Sequence, residues 1–295
     1  MDLPVPITAD TDARPYHLIR PDVRSAAVVF ASPHSGRDYP AEFIAQARLD
    51  AIGLRRSEDS FVDELFEAAP AHGAPLLAAT FPRAFCDPNR EAWELDPTMF
   101  EDALPIWVNT GSARVGAGLG TIARIVATGE AIYREKLPFA EAERRVRQFW
   151  QPYHDCLGAL VGETRTLFGA SLLIDCHSMP AHGTMPRGRI TGGADFVLGD
   201  AFGTTCAPRI TRRVEQVLTG LGYVVRRNDP YAGGFVTRHY GRPRERIHAL
   251  QIEIARGLYM DEARIEHAPG FAAVQADLTV LVEVLAREAE ELLAG

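Results

Sequence analysis

The chain has 295 residues, of which 24% are charged and 46% hydrophobic, so it is long and apolar enough to bury a substantial core. Its net charge of −8 argues against a nucleic-acid partner, because phosphate binding requires clustered lysine and arginine. No apolar stretch approaches the length of a membrane span, and no basic start followed by an apolar segment opens the chain. We therefore expect a cytoplasmic protein without a membrane partner.

The predicted strands are short apolar runs, and amphipathic helical patterns lie between several of them. These strands cover residues 26–32, 75–81, 171–176, 195–199, 222–226 and 247–254. Helices are predicted from Glu58 and Asp59 onward, over Phe139 to Phe168, and from about Phe271 to Leu293. This alternation predicts one α/β domain over residues 1–295, with residues 1–20 as an extension and a mixed, largely parallel sheet flanked by helices.

Two histidines follow apolar runs that have the character of buried strands. Residues 28–31 lead into His34, and residues 172–174 lead into His177. In an open α/β sheet, ligands bind beyond the carboxyl ends of the strands, so both imidazoles are placed for function. Cys176 precedes His177, but neighbouring strand residues face opposite ways, and we expect a buried apolar cysteine there.

A third strand carries a carboxylate on a face that should be buried. From residue 247 to 255, Gln251 and Glu253 alternate with leucine and isoleucine. A lone ionised carboxylate is costly to bury, which predicts a cation near Glu253.

Two histidines with a carboxylate are typical of a catalytic zinc site, which has three protein ligands and one open position. In metallocarboxypeptidases a glutamate ligand stands three residues after the first histidine, but that position is Arg37 in this chain. The carboxylate must come from elsewhere, and Glu58 and Asp59 are the candidates.

In the order and spacing of seven motifs between about residues 30 and 262, the chain resembles the N-formylglutamate amidohydrolase, or deformylase, family. The motifs are His34-Ser35-Gly36, Glu58-Asp59 with Val62-Asp63, Asp87-Pro88-Asn89-Arg90, Pro152-Tyr153-His154, Asp175-Cys176-His177-Ser178-Met179, Gly233 to Gly241, and Gln251-Ile252-Glu253-Ile254. Pro88 stands where the family commonly has leucine.

The resemblance implies a zinc carboxypeptidase-like, three-layer fold, related also to succinylglutamate desuccinylases. It implies a Zn²⁺ ion held by His34, His177 and Asp59, with Glu58 as a competing ligand, although such sites accept other divalent ions. The implied reaction splits N-formyl-L-glutamate into formate and L-glutamate, a step of histidine breakdown. The binding partner of the protein would be its substrate, a small acidic N-acyl amino acid.

The remaining roles follow from the chemistry of that reaction. Glu253 is the expected general base and acid. The substrate carries two carboxylates, and Asn89 with Arg90 resembles the pair that binds a substrate carboxylate in carboxypeptidases. Arg238 is expected at the second carboxylate or at the oxyanion, and the turn at Gly234 is expected to bring a backbone amide to the substrate.

Two further acids are expected to orient the ligands. Asp175 lies two residues before His177, on the same strand face, and would orient its imidazole. Asp87 is assigned the same kind of role.

Two other functions remain open from the sequence. One is a metal-dependent hydrolase of the same fold that acts on another N-acyl amino acid or a small peptide. The other is a catalytically silent binding protein. The sequence predicts no oligomeric state.

Overall fold

The fold was obtained as a computed structural model that describes residues 14–180, 184–185, 189–190 and 193–294. Its strands are β1 Tyr16–Ile19, β2 Val28–Ser32, β3 Leu76–Ala79, β4 Ser171–Met179, β5 Thr184–Met185, β6 Arg189–Ile190, β7 Phe196–Gly199, β8 Val225–Arg227, β9 Ile247–Ala255, β10 Met260–Asp261 and β11 Glu266–His267. Its α-helices are α1 Ala41–Gln46, α2 Ala51–Arg55, α3 Val62–Leu65, α4 Ala113–Gly116, α5 Phe139–Arg145, α6 Gln151–Phe168, α7 Pro208–Gly220, α8 Phe235–Tyr240 and α9 Phe271–Ala294.

The central sheet has seven strands in the order β1-β3-β2-β4-β9-β7-β8. Strand β2 is parallel to β3 and β4, and β4 is parallel to β9, whereas β7 is antiparallel to β9. The sheet is therefore mixed and mostly parallel, and the predicted α/β class is confirmed. Strand β1 has no counterpart among the predicted strands. It lies at the edge of the sheet, within the segment expected to be an extension.

Strands β4 and β9 form the centre of the sheet, and every residue in both is buried. One face carries the apolar side chains of residues 174, 176, 250, 252 and 254, which pack in the main core together with those of α9. The opposite face carries Asp175 and His177 beside Gln251 and Glu253, because their registers pair 175 with 251 and 177 with 253. The predicted alternation along β9 is confirmed, and it concentrates polar groups on one buried face.

The helix predicted to begin at Glu58 and Asp59 is wrong in its start. Helix α3 begins at Val62, after Phe61 has adopted a left-handed conformation with φ 67°. The amide of Asp59 donates to the carbonyl of His34 at 3.0 Å, so the chain there is tied to another loop. The apolar stripe that suggested the helix is nevertheless buried, since Val62 and Leu65 are fully inaccessible.

The segment predicted as one helix from Phe139 to Phe168 is helical throughout, but its hydrogen bonding changes. A π-helical turn, Val146–Trp150, separates α5 from α6. Such turns insert an extra residue and shift the faces of the two flanking helices.

The chain folds as two compact units that alternate along the sequence. One takes the residues up to His17, Pro33–Ser60 and Ala79–Cys156, and the other takes Leu18–Ser32, Phe61–Ala78 and the residues from Leu157 onward. The prediction of one domain over 1–295 stays a prediction. Within the described part of the chain, every helix is too short or too polar to cross a membrane.

Candidate metal centre

His34 lies two residues beyond β2 and is 2% exposed, with a carboxylate at each ring nitrogen. Its Nε2 is 2.7 Å from Oδ1 of Asp87, which is an ordinary hydrogen bond. Its Nδ1 is 3.3 Å from Oδ2 of Asp59, which is long for a hydrogen bond. The two nitrogens therefore have different surroundings.

The longer separation fits two ligands of one ion. Tetrahedral coordination with bonds of about 2.0–2.2 Å places neighbouring ligand atoms about 3.3–3.6 Å apart. His34, Asp59 and His177 are all buried, and one ligand atom from each lies within 4.8 Å of the others. These three residues could hold a metal ion.

The second histidine is held in the same manner as the first. Nε2 of His177 is 2.9 Å from Oδ1 of Asp175, two residues earlier on β4. A carboxylate on one ring nitrogen of a metal-binding histidine fixes its orientation and leaves the other nitrogen for the ion. In both His34 and His177 the nitrogen bound to a carboxylate is Nε2, so Nδ1 is the nitrogen that suits an ion. Asp87 and Asp175 thus each lie within hydrogen-bond distance of one of the two histidines, and their orienting roles stay predictions.

Asp87 is held ionised by its neighbours. Burial raises its pKa, but the charges of Arg83 and Arg90 and the hydrogen bond from His34 outweigh burial and hold the pKa well below its ordinary value. Arg83 donates to Oδ2 at 2.8 Å, and the amide of Asn89 donates to Oδ1 at 2.8 Å. An ionised Asp87 must accept the hydrogen bond from His34, which fixes the tautomer of that imidazole.

Glu58 and Asp59 are adjacent and both buried, but their carboxylates have different partners. Glu58 accepts hydrogen bonds from Tyr39 at 2.7 Å, from Ser60 at 2.8 Å and from Arg55 at 3.0 Å. The carboxylate of Glu58 is therefore bound by protein donors, of which Arg55 is its counter-ion, whereas the carboxylate of Asp59 faces His34. The geometry favours Asp59 as the third ligand, and the ligand assignment itself stays a prediction.

The polar face of β4 and β9 continues as a hydrogen-bonded network. Thr237 on α8 donates to Oδ2 of Asp175 at 3.0 Å, and its hydroxyl is 3.5 Å from Oε1 of Gln251. Gln251 donates through Nε2 to Oε1 of Glu253 at 2.6 Å. Glu253 therefore has a donor next to it on its own strand, and His177 is its register neighbour on β4.

Asn89 and Arg90 lie in the loop that begins with Asp87. Burial lowers the pKa of Arg90 to about 10, although the charge of Asp87 counteracts it. Arg90 donates to the carbonyls of Leu119 and Asn89 at 2.8 and 2.7 Å. This loop is supported by the segment at the π-helical turn, because Trp150 donates to the Arg90 carbonyl and His154 bonds the Pro88 carbonyl.

Arg238 lies on α8, and Gly234 lies directly before this helix. Arg238 is exposed on α8 and donates to the carbonyl of Gly233 at 3.3 Å. The amide of Gly234 donates to Oε1 of Gln251 at 2.7 Å, so this N–H is engaged within the protein. Substrate roles for both residues stay predictions.

Sequence reasoning missed Thr237, Gln251, Arg83 and Tyr39 as parts of this site. Thr237 and Gln251 stand inside motifs that were already recognised, and the position of Gln251 two residues before Glu253 was a usable signal. The sequence carried no signal for Arg83 and Tyr39, because their roles depend on how the loops around them fold.

Cys176 is buried on the apolar face of β4, as expected. Burial, and secondarily the charge of Asp175, raise the pKa of its thiol well above the ordinary value. A thiol that stays protonated is a poor nucleophile, so Cys176 is a core residue.

The chain is similar to known proteins over most of its length. The sequence profile of the family described as N-formylglutamate amidohydrolase matches residues 26–260. An N-formylglutamate deformylase of Pseudomonas putida is 33% identical over 246 residues, 80% of this chain and 82% of that protein. A protein of the same name from Pseudomonas aeruginosa is 33% identical over 274 residues, 90% of this chain and 92% of that protein.

Solved structures show the same similarity. The crystal structure of N-formylglutamate amidohydrolase from Ralstonia eutropha JMP134 superposes with a TM-score of 0.87 and 41% identity, covering 95% of this chain and 99% of that one. A gene product from Agrobacterium tumefaciens superposes with a TM-score of 0.64 and 19% identity, over 96% of this chain and 99% of that one, and shares the fold.

Proposed function

Because the chain belongs to the N-formylglutamate amidohydrolase family, we propose that it hydrolyses N-formyl-L-glutamate to formate and L-glutamate with one divalent metal ion. The observation that carries the proposal is the buried group His34, Asp59 and His177, in which a carboxylate fixes each imidazole.

His34 and His177, each through Nδ1, and Asp59 through Oδ2 would hold the ion, which is Zn²⁺ in this proposal. When bound, the ion acts as a Lewis acid: it polarises the amide carbonyl and lowers the pKa of a water molecule to about 7. Asp87 and Asp175 keep the two imidazoles oriented by accepting from Nε2.

Glu253 is the proposed general base and acid. Its carboxylate accepts a proton from the attacking water, and then donates that proton to the nitrogen of the departing glutamate. Its place in register with His177 supports this role. The buried face around it excludes bulk water, which strengthens the charge interactions of the carboxylate.

Arg90 is the proposed partner of one substrate carboxylate. Its guanidinium is planar and lies in the loop that also carries Asp87, the residue that orients His34. A substrate carboxylate bound to Arg90 would therefore lie near His34. Asn89, Arg238 and the Gly234 turn are proposed as further substrate contacts.

The test combines metal content with formate release. Purified protein is expected to contain about one zinc per chain and to release formate from N-formyl-L-glutamate, with activity lost on chelation and restored by zinc. N-acetyl- and N-succinyl-L-glutamate serve as comparison substrates. Zinc without formate release would contradict the proposed substrate, and full activity after complete metal removal would contradict metal dependence.

A variant tests the proposed role of Glu253. Glu253→Gln keeps the shape of the side chain but cannot accept the proton, so kcat is expected to fall about 10²–10⁴-fold while metal content stays the same. Formate release is measured at saturating substrate, with zinc analysed on the same preparation. Unchanged kcat would remove Glu253 from the mechanism.

We also propose a cellular location, a metabolic role and a domain organisation for the chain. A cytoplasmic location and a place in histidine degradation agree with the family and with the substrate, and the chain would act as one α/β domain.

A further inference from the structure

Gln251 joins the proposed general base to the loop before α8. It lies on the polar face of β9 and is only 4% exposed. Its Oε1 accepts from the backbone N–H of Gly234 at 2.7 Å, and its Nε2 donates to Oε1 of Glu253 at 2.6 Å. Both ends of the buried amide are therefore used.

The orientation of this amide is determined by its partners. The nitrogen and oxygen of a glutamine side chain are hard to distinguish by shape, and their assignment must come from hydrogen bonding. The backbone N–H of Gly234 can only donate, so the atom facing it must be the oxygen. The NH₂ group then faces Glu253, and Oε1 of Glu253 must be an acceptor.

We propose that Gln251 is a positioning residue for the reaction: it holds Oε1 of Glu253 and so fixes the orientation of the carboxylate that transfers the proton. Because the other end of the amide is held by Gly234, the carboxylate is oriented relative to the loop that contains Gly233 and Gly234. The proposal rests on the proposed function, since it takes Glu253 as the base.

Thr237 extends the same arrangement to a proposed metal ligand. Its hydroxyl has one proton, which is given to Asp175 at 3.0 Å, and Asp175 accepts from His177 at 2.9 Å. The hydroxyl also lies 3.5 Å from Oε1 of Gln251. The general base and the imidazole of His177 are thus positioned by side chains that contact each other.

The kinetic test uses a substitution that changes only one end of the amide. Gln251→Glu keeps an oxygen for the Gly234 N–H but replaces the donor to Glu253 by an acceptor. We expect kcat to fall about 10–100-fold with KM changed less than twofold, because a displaced base slows the chemical step without weakening substrate binding. Wild-type protein assayed in parallel tests the proposed function by itself.

A second measurement does not depend on activity. Two facing carboxylates should lower Tm in Gln251→Glu by about 2–6 °C at mildly alkaline pH. Adding Glu253→Gln should restore Tm, because the glutamine at 253 then donates to the glutamate at 251. Glu253→Gln alone should stay near the wild-type Tm, since its amide oxygen can still accept from Gln251.

The outcomes separate the alternatives. A kcat within twofold of wild type in Gln251→Glu, or a raised KM with unchanged kcat, would overturn the positioning role. A double variant as unstable as Gln251→Glu would show that the two side chains are not paired as described. If wild-type protein releases no formate while the rescue of Tm is observed, the proposed substrate fails and the pairing stands.

Discussion

At the scale of single residues, the site is governed by which donors surround each buried carboxylate. Glu58 and Asp59 are neighbours in sequence and both almost inaccessible, yet Glu58 is surrounded by protein donors and Asp59 faces an imidazole nitrogen. A buried carboxylate that is already neutralised has little left to offer an ion, because its lone pairs are in use. Sequence spacing alone did not distinguish the two acids.

The two acids give a matched pair of variants. Asp59→Asn is expected to lower zinc content sharply, because an amide oxygen is a weaker ligand than a carboxylate. Glu58→Gln is expected to keep zinc and to lose about 1–3 kcal/mol of unfolding free energy, because the Arg55 guanidinium is then left without its counter-ion. Metal analysis and urea unfolding measure both effects, and the reverse pattern would make Glu58 the ligand.

Arg90→Lys tests whether Arg90 binds a carboxylate of the substrate. Lysine keeps the charge but loses the planar fork, so KM for N-formyl-L-glutamate is expected to rise about 10-fold. The analogue N-formyl-L-glutamine, which has a neutral amide in place of the side-chain carboxylate and keeps the α-carboxylate, shows whether the side-chain carboxylate is the one bound. An equal rise for both substrates would assign Arg90 to the other carboxylate, and no rise for either would remove it from substrate binding.

At the scale of elements, the position of His34 depends on how closely the turn after β2 approaches the segment after β3. A Cβ atom added to Gly36 would lie 2.1 Å from the carbonyl oxygen of Phe81, which is far inside contact distance. The amide of Asp38 donates to the carbonyl of Thr80 at 2.8 Å and holds the same two segments together. Glycine at this place of the His-Ser-Gly motif is a packing requirement.

Gly36→Ala is therefore expected to displace the turn and the imidazole of His34 with it. We expect about 2–4 kcal/mol of lost stability and at least a 10-fold loss of metal affinity. Gly162→Ala is the control, because Gly162 is exposed in α6 with open space around it and alanine there should stabilise by about 0.5–1 kcal/mol. Equal behaviour of the two variants would contradict this account.

At the scale of the whole molecule, acid stability depends on a histidine away from the proposed site. His248 lies on β9, and its Nδ1 accepts from the amide of Ala207 at 3.2 Å. Burial, with the charges of Arg209 and Arg246, lowers its pKa to about 4. The folded protein therefore keeps this imidazole neutral at pH values where an unfolded chain, with a histidine pKa of about 6.5, binds a proton.

The contribution of His248 to stability is complete above about pH 6.5 and is lost as the pH falls toward about 4. We expect about 1–2 kcal/mol of unfolding free energy to disappear over this interval, allowing for solvent screening. His248→Asn retains an acceptor for Ala207 and should flatten that part of the pH dependence. Urea unfolding at several pH values measures it, and identical slopes in the variant and wild type would refute it.

The sequence by itself determined the α/β class, the central strands and the two histidines at strand ends. These follow from local periodicity, because alternation within a strand places side chains on known faces wherever the strand lies. It also predicted Asp175 on the same strand face as His177, from the spacing of two residues along one strand.

Only the tertiary structure decided which acid faces the imidazole, where α3 begins and what Gln251 and Thr237 contact. These features depend on segments that are distant in sequence, such as the Asp59 amide on the His34 carbonyl and the Gly234 amide on Gln251. Local patterns carry no information on such pairs, because the free energy that selects them comes from satisfying buried polar groups across the fold.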